Sequence, residues 1–236
     1  MAPAPGLTVD IAEKRFAGSA EPLFENLAFT VEPGTTLALV GPSGIGKSTL
    51  LRLIAGIDET FSGRILVDTR PARSAPPPGF VFQDPRLLPW LTALENIRTA
   101  RPGQTRAEAL DWLEKVGLAG SADAFPHALS GGMQRRVALA RALATNSRLL
   151  LLDEPFVSLD RARIAEMRAL IAALLESGAT TAILVTHDPE DAAHLANRTL
   201  RLTGRPATIA HDVPLPEPRS RRDARTLARY AGILGT

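Results

Sequence analysis

The octapeptide Gly41-Pro42-Ser43-Gly44-Ile45-Gly46-Lys47-Ser48 constrains this chain more than any other stretch. It fits G-x-x-x-x-G-K-[ST], a phosphate-binding pattern when it joins a strand to a helix. Both flanks meet that condition. Thr35-Thr36-Leu37-Ala38-Leu39-Val40 is a short apolar run ending in glycine, which reads as a buried parallel strand. Lys47 to Ala55 places Leu50, Leu51 and Ile54 on one face with Gly56 as a stop, which predicts a helix. Glycines let the backbone curl until successive N–H groups point inward, and the helix N-terminus adds its positive end. Lys47 is long enough to reach the β- and γ-phosphates. Ser48 offers a hydroxyl to Mg²⁺, a hard ion that takes oxygen ligands. Gly41, Pro42, Ser43, Gly44, Ile45, Gly46 and Thr49 complete the phosphate-contacting set. The alternative is a glycine turn that merely precedes a helix, and the context on both sides weighs against it.

A phosphate loop alone says only that a nucleoside triphosphate binds. Leu149-Leu150-Leu151-Leu152-Asp153-Glu154 supplies a second, acidic element: four apolar residues bury a strand and two carboxylates emerge at its end. Chemistry gathers at such carboxyl ends of parallel strands. Asp153 is the candidate for Mg²⁺ and Glu154 the candidate general base for the attacking water. Ordinary solvated acids at a strand end are the alternative.

Gly79 to Gln83 and Thr181 to Thr186 read as further strands, the latter as the last. Ile164, Met167, Ile171, Leu174 and Leu175 repeat at helical spacing between the last two. Alternating strand and helix imply a parallel α/β sheet. Leu7 to Val9, Leu27 to Val31 and Arg64 to Val67 read instead as short antiparallel strands. The stretch from Asp84 to Asn146 looks mostly helical. Thr105-Arg106-Ala107-Glu108 reads there as a capping box, and Leu110, Leu113 and Val116 form a stripe ending at Gly117. Ser74 to Gly79, with three prolines, is a loop.

A chain of 236 residues, 45% hydrophobic and 22% charged, can bury a full core. The absence of cysteine excludes disulfides, thiolate metal sites and a cysteine nucleophile. A net charge of +2 is too small to imply a nucleic-acid partner, and none is expected. Arg219, Arg221, Arg222, Arg225 and Arg229 concentrate positive charge near the end, either as a solvated helix face or as a contact for anionic lipid heads. No run approaches the roughly 18 apolar residues of a membrane span, and no signal peptide is seen. The expectation is a soluble, cytoplasmic protein. His127, His194 and His211 show no metal-like spacing and read as structural.

Leu129-Ser130-Gly131-Gly132-Met133-Gln134, which opens a helix over Arg135 to Ala144, resembles the signature motif of ABC transporter ATPases. Gln83 resembles the Q-loop, Ser158-Leu159-Asp160 the D-loop and His187 the H-loop switch of that family, in the family's order and over nearly the whole chain. The resemblance implies an α/β P-loop NTPase (RecA-like) core over 34–56, 80–84 and 146–236. It implies an antiparallel β subdomain over 1–33 and 57–79, and a helical signature subdomain over 85–145, all within one domain spanning 1–236. It implies ATP and Mg²⁺, with two chains sandwiching two ATP molecules head to tail. Ser130, Gly131 and Gly132 would grip the partner's γ-phosphate, and Asp160 would link the two sites. His187 would bond the γ-phosphate and help order the water. Gln83 would sense Mg²⁺ or water and move with a transmembrane partner. Phe16 stands where an aromatic stacks on adenine, although it lacks the hydroxyl of the more usual tyrosine; core packing is the other reading. Taken singly, Ser130-Gly131-Gly132 could be a helix cap and turn, and His187 a strand-end histidine. Met133 departs from the common signature without removing the serine or backbone contacts to phosphate.

The run Phe82 to Ile97, with Leu87-Leu88-Pro89-Trp90-Leu91, resembles the subgroup serving nitrate, sulfonate and taurine importers, as does Gly204-Arg205-Pro206. Leu88, Trp90 and Leu91 read either as a groove for a partner's helix or as core. The partners so implied are integral-membrane permease subunits, a periplasmic or lipid-anchored substrate-binding protein acting indirectly, and a second copy of the chain when ATP is present. The chain would then work peripherally on the cytoplasmic face of the cell membrane. The rivals are a lipid or envelope exporter's ATPase and a non-transport ABC ATPase acting on nucleic acid.

Overall fold

The computed structural model describes residues 3–235; Met1, Ala2 and Thr236, at the two ends of the expected 1–236 domain, lie outside them. The central sheet has six strands in the order β10-β9-β3-β8-β7-β6. These are β3 (Thr36–Val40), β6 (Gly79–Val81), β7 (Leu149–Asp153), β8 (Thr181–Val185), β9 (Arg198–Thr203) and β10 (Thr208–Pro214). All pairings are parallel except the β9–β10 edge. β3, β7 and β8 are buried at every residue, as strands covered on both faces must be. The period of two sorts their side chains. Leu149 and Leu151 pack with Leu50, Leu51, Leu53 and Ile54 of α1 (Lys47–Ile54), whereas Leu150 and Leu152 pack toward the helical half.

The second sheet is antiparallel, in the order β2-β1-β4-β5. It comprises β1 (Leu7–Lys14), β2 (Phe24–Val31), β4 (Ser62–Val67) and β5 (Arg70–Pro71). Leu7, Val9 and Ile11 alternate inward and share one core with α1 and the central sheet. Phe24 is fully buried there, a contribution of about 1.5–3 kcal/mol relative to exposure.

The helical half carries α2 (Ala93–Arg98), α3 (Arg106–Lys115) and α4 (Gly131–Leu143). The capping box at α3 is reciprocal: the Glu108 N–H donates to Thr105 Oγ1 at 3.2 Å, and the Thr105 N–H donates to Glu108 Oε2 at 2.7 Å. Thr92 and Glu95 form an equivalent box at α2, not foreseen from the sequence. Helix α4 starts at Gly131 rather than Arg135, because Ser130 caps it by accepting from the Met133 N–H. Asn96, fully buried, donates to the carbonyls of Leu88, Leu91 and Thr92 and accepts from the Leu88 N–H. It pins the segment that leaves Trp90 69% exposed, with Leu88 and Leu91 half-buried.

The last layer is α5 (Arg161–Glu176), α6 (Pro189–Leu195) and α7 (Ala224–Gly235). Two expectations fail in this region. The strand ending at Val185 is not the last, because β9 and β10 follow and β9 becomes the parallel neighbour of β3. The arginines near the end are not one solvated face. Arg222 is buried and donates to the carbonyls of Ala193, Ala196, Leu215 and Glu217. Arg219 donates to the carbonyls of Leu195 and Leu175 and to Thr36 Oγ1. Guanidinium groups here satisfy carbonyls at helix C-termini, where positive charge is favoured. Burial pushes Arg222 down to about 10. No helix among the described residues is long and apolar enough to cross a membrane.

Candidate functional site

The turn between β3 and α1 is shaped by close approaches that only glycine allows. Gly41 has φ 149°, and a Cβ there would lie 2.6 Å from the Leu202 carbonyl oxygen. Gly46 has φ 107°, and its Cβ would meet the Phe24 ring at 2.7 Å. Ile45 is buried and anchors the loop in the core through its side chain. Among the described residues no side chain caps α1, which leaves the N–H groups of its first turn to a ligand. Lys47, 7% exposed, donates to the carbonyls of Gly41 at 2.7 Å and Pro42 at 2.9 Å. Burial pushes its ammonium below the usual lysine range, against the opposing pull of Glu154 and Asp153.

Asp153 ends β7, is 3% exposed and accepts from Ser48 Oγ at 3.0 Å. Burial pushes its carboxyl up, and the Ser48 hydrogen bond only opposes that. Glu154, the next residue, turns into the left-handed region at φ 51° while its N–H donates to the Val185 carbonyl. That departure from strand geometry is of a kind that clusters at functional sites. His187 Nδ1 lies 2.7 Å from Glu154 Oε2; a carboxylate accepts, so the ring nitrogen donates. A partly buried network holds the segment around His187. Arg168 of α5 donates to Asp191 at 2.7 Å, Asp188 at 3.0 Å and Glu190 at 3.2 Å, while Asp191 Oδ2 accepts from Thr186 Oγ1 at 2.7 Å.

Phe16, Ser43, Gly44, Gly46, Lys47, Ser48, Thr49, Gln83 and Glu154 line one cleft of about 230 Å³, with Asp153 and His187 attached through Ser48 and Glu154. Leu23 and Val185 also line it; neither carries a sequence signal beyond its neighbours. Phe16 is 50% exposed, so the core alternative does not hold for it. Lys14 Nζ stands 5.1 Å from its ring centre.

Ser130, Gly131, Gly132 and Asp160 do not line this cleft. Ser130 and Asp160 cap α4 and α5, accepting from the N–H groups of Met133 and Arg163. The two caps are neighbours: a Cβ on Gly132 would lie 3.4 Å from Leu159 Cδ2 and from the Ser158 carbonyl oxygen. The remaining histidines stand apart from the cleft. His127 stacks on Phe125, His194 is half-buried on α6 with burial pushing its pKa down, and His211 lies exposed on β10.

A glycine-rich phosphate cradle facing carboxylates at the carboxyl end of a parallel strand defines the P-loop nucleoside triphosphatase class. Within that class, the model of the ABC transporter family matches residues 24–157. The chain belongs to the ABC transporter family, as its ATP-binding cassette. It is 42% identical over 220 residues to the aliphatic sulfonates import ATP-binding protein SsuB 2 of Pseudomonas syringae pv. tomato, covering 92% of this chain and 91% of that one. It is 41% identical over 209 residues to an aliphatic sulfonates import ATP-binding protein SsuB of Bacillus cereus, covering 84% and 82%. Among solved structures it resembles the dimeric post-hydrolysis state of the ATP-binding cassette MJ0796 bound to ADP and Pi. The TM-score is 0.80 and the identity 30%, over 88% of this chain and 98% of that one.

Proposed function

We propose that the chain binds and hydrolyses ATP to power uptake of a small anionic or organic solute, of the nitrate, sulfonate or taurine type, through a separate integral-membrane permease. The observation that carries the chemistry is the pairing of Glu154 with His187 in the cleft that Lys47 lines. The solute class is supported by the sulfonate-import relatives, which align over most of both chains.

In this reading Lys47 exchanges the carbonyls of Gly41 and Pro42 for phosphate oxygens, and the N–H groups between Gly41 and Thr49, other than at Pro42, surround the same phosphates. Phe16 stacks on adenine at the rim. A divalent cation fits beside Ser48 and Asp153: the carboxylate is 3% exposed, accepts from a neutral hydroxyl, and stays raised by burial despite Lys47 and Arg52 nearby, so a cation there would offset that burial. Among the described residues no group of three or more His, Cys, Asp or Glu could hold a metal ion by itself, so phosphate and water would supply the other ligands. Ser48, Asp153 and Gln83 are the residues assigned to hold Mg²⁺, which supplies charge neutralisation on the phosphates when bound. Glu154 takes the proton of the attacking water, and His187 orients Glu154 and reaches the γ-phosphate. Ser130, Gly131, Gly132 and Asp160 act across an ATP-dependent homodimer, an arrangement supported by the dimeric structural neighbour. The subunit works on the cytoplasmic face, with a substrate-binding protein delivering solute to the permease from outside.

The test is a pull-down of the tagged chain from its native membranes, with mass spectrometry and an ATPase assay of the product. A multi-span permease together with ATP turnover is expected. Lipid-export factors or nucleic acid in place of a permease would overturn the importer reading.

A further inference from the structure

Gln83 lines the cleft, yet among the described residues no protein group bonds its side chain. Its backbone is held instead. Arg135, in the second turn of α4, donates through Nη1 to the Gln83 carbonyl at 2.6 Å. Further along the same helix, Arg141 donates to the carbonyls of Arg86 at 2.9 Å and Pro85 at 2.9 Å. The two arginines therefore grip three carbonyls of the loop after β6, those of Gln83, Pro85 and Arg86. They differ in setting. Burial pushes Arg141 below the usual arginine range, and it makes two bonds further along the loop. Arg135 is partly exposed and, among the described residues, has no carboxylate partner and makes one bond, at the residue that faces the cleft.

We propose that Arg135 is a positioning residue: its bond to the Gln83 carbonyl sets where the Gln83 side chain stands in the nucleotide cleft. A charged donor on a neutral carbonyl is among the stronger hydrogen bonds, and a helix is a rigid mount for it. The same helix begins at Ser130, Gly131 and Gly132. One bond thus ties a group of the chain's own nucleotide site to the helix end assigned to the partner's nucleotide. This inference rests on the ATPase reading above and on Gln83 acting within it.

The test is a double-mutant cycle on the full chain with Arg135→Met and Gln83→Ala, reading ATP affinity and turnover separately. Methionine keeps the length and helix preference of arginine without a donor. Gln83→Ala keeps the backbone carbonyl and removes the side chain that reports its position. Arg135→Met is expected to leave ATP affinity within about twofold and to lower turnover roughly five- to fiftyfold, the scale of a small misplacement of a positioned group. In the Gln83→Ala background it should change nothing further, and Arg135→Lys, which retains a donor, should recover a large part of the loss. Losses that multiply in the double variant would show plain support of the fold and overturn the proposal. So would unchanged turnover in Arg135→Met, or in Gln83→Ala. A wild-type chain that hydrolyses no ATP would overturn the functional reading itself, and this tether with it.

Discussion

Replacing Arg168 with methionine would expose how the segment after β8 is held. The Arg168 side chain is 11% exposed and faces three carboxylates of unequal exposure: Asp191 at 5%, Asp188 at 38% and Glu190 at 67%. The two more exposed partners are screened by water and contribute at most about 0–1 kcal/mol each. Asp191 dominates, because removing one member of a buried pair strands the other and costs about 3–5 kcal/mol. Methionine retains the apolar stem, so the loss is that of the charge and its hydrogen bonds. For a chain of this size the midpoint of thermal unfolding should fall by roughly 6–20 °C. The loss should also depend on pH. Burial pushes the Asp191 carboxyl above the usual aspartate range even with Thr186 and Arg168 opposing it, and without Arg168 it would rise further. An aspartate raised in the folded state weakens folding above its folded pKa, and that cost is relieved as pH falls toward the ordinary value. The variant's deficit should therefore be largest at neutral pH and smaller at about pH 5. Urea unfolding followed by circular dichroism at both pH values measures it. A deficit below about 1 kcal/mol at neutral pH, or one that ignores pH, would refute the assignment of Asp191 as the stranded partner.

Other substitutions address the cleft directly. Glu154→Gln keeps the shape of the side chain but cannot take a proton, and should bind ATP, accumulate as a dimer and turn over about 10²- to 10⁴-fold more slowly; near-normal turnover would remove Glu154 as the base. Lys47→Ala removes a charge-assisted contact to phosphate worth about 1.5–3 kcal/mol, so ATP affinity measured by calorimetry should fall by about 10- to 150-fold. Phe16→Ala should weaken ATP by about 1–3 kcal/mol if the ring stacks on adenine, and unchanged affinity would leave it as a bystander at the rim.

The phosphate loop, the buried strand before it, the helix after it and the capping box of α3 were all legible in the sequence. Each is made by residues a few positions apart, so backbone sterics, glycine freedom and local hydrogen bonds decide it. The fold class was legible for a related reason: apolar runs and helical stripes report burial whatever lies opposite them. β9 and β10 escaped because their strand character comes from pairing with β3 and with each other, and five of the seven residues of β10 are exposed. The site itself is a tertiary product. Ser48 meets Asp153 across 105 residues, Glu154 meets His187 across 33, and Arg135 meets the Gln83 carbonyl across 52. Those meetings depend on the strand order, which sets β7 and β8 side by side and brings their carboxyl ends to the loop after β3. The inward turn of Arg219 and Arg222 was likewise decided by where helix C-termini expose carbonyls, a fact no local pattern carries. Residue types by themselves determined which chemistry this chain can perform. Only the packed sheet determined which groups stand close enough to perform it, because electrostatic and hydrogen-bonding interactions act over a few ångströms of space, whatever the distance along the chain.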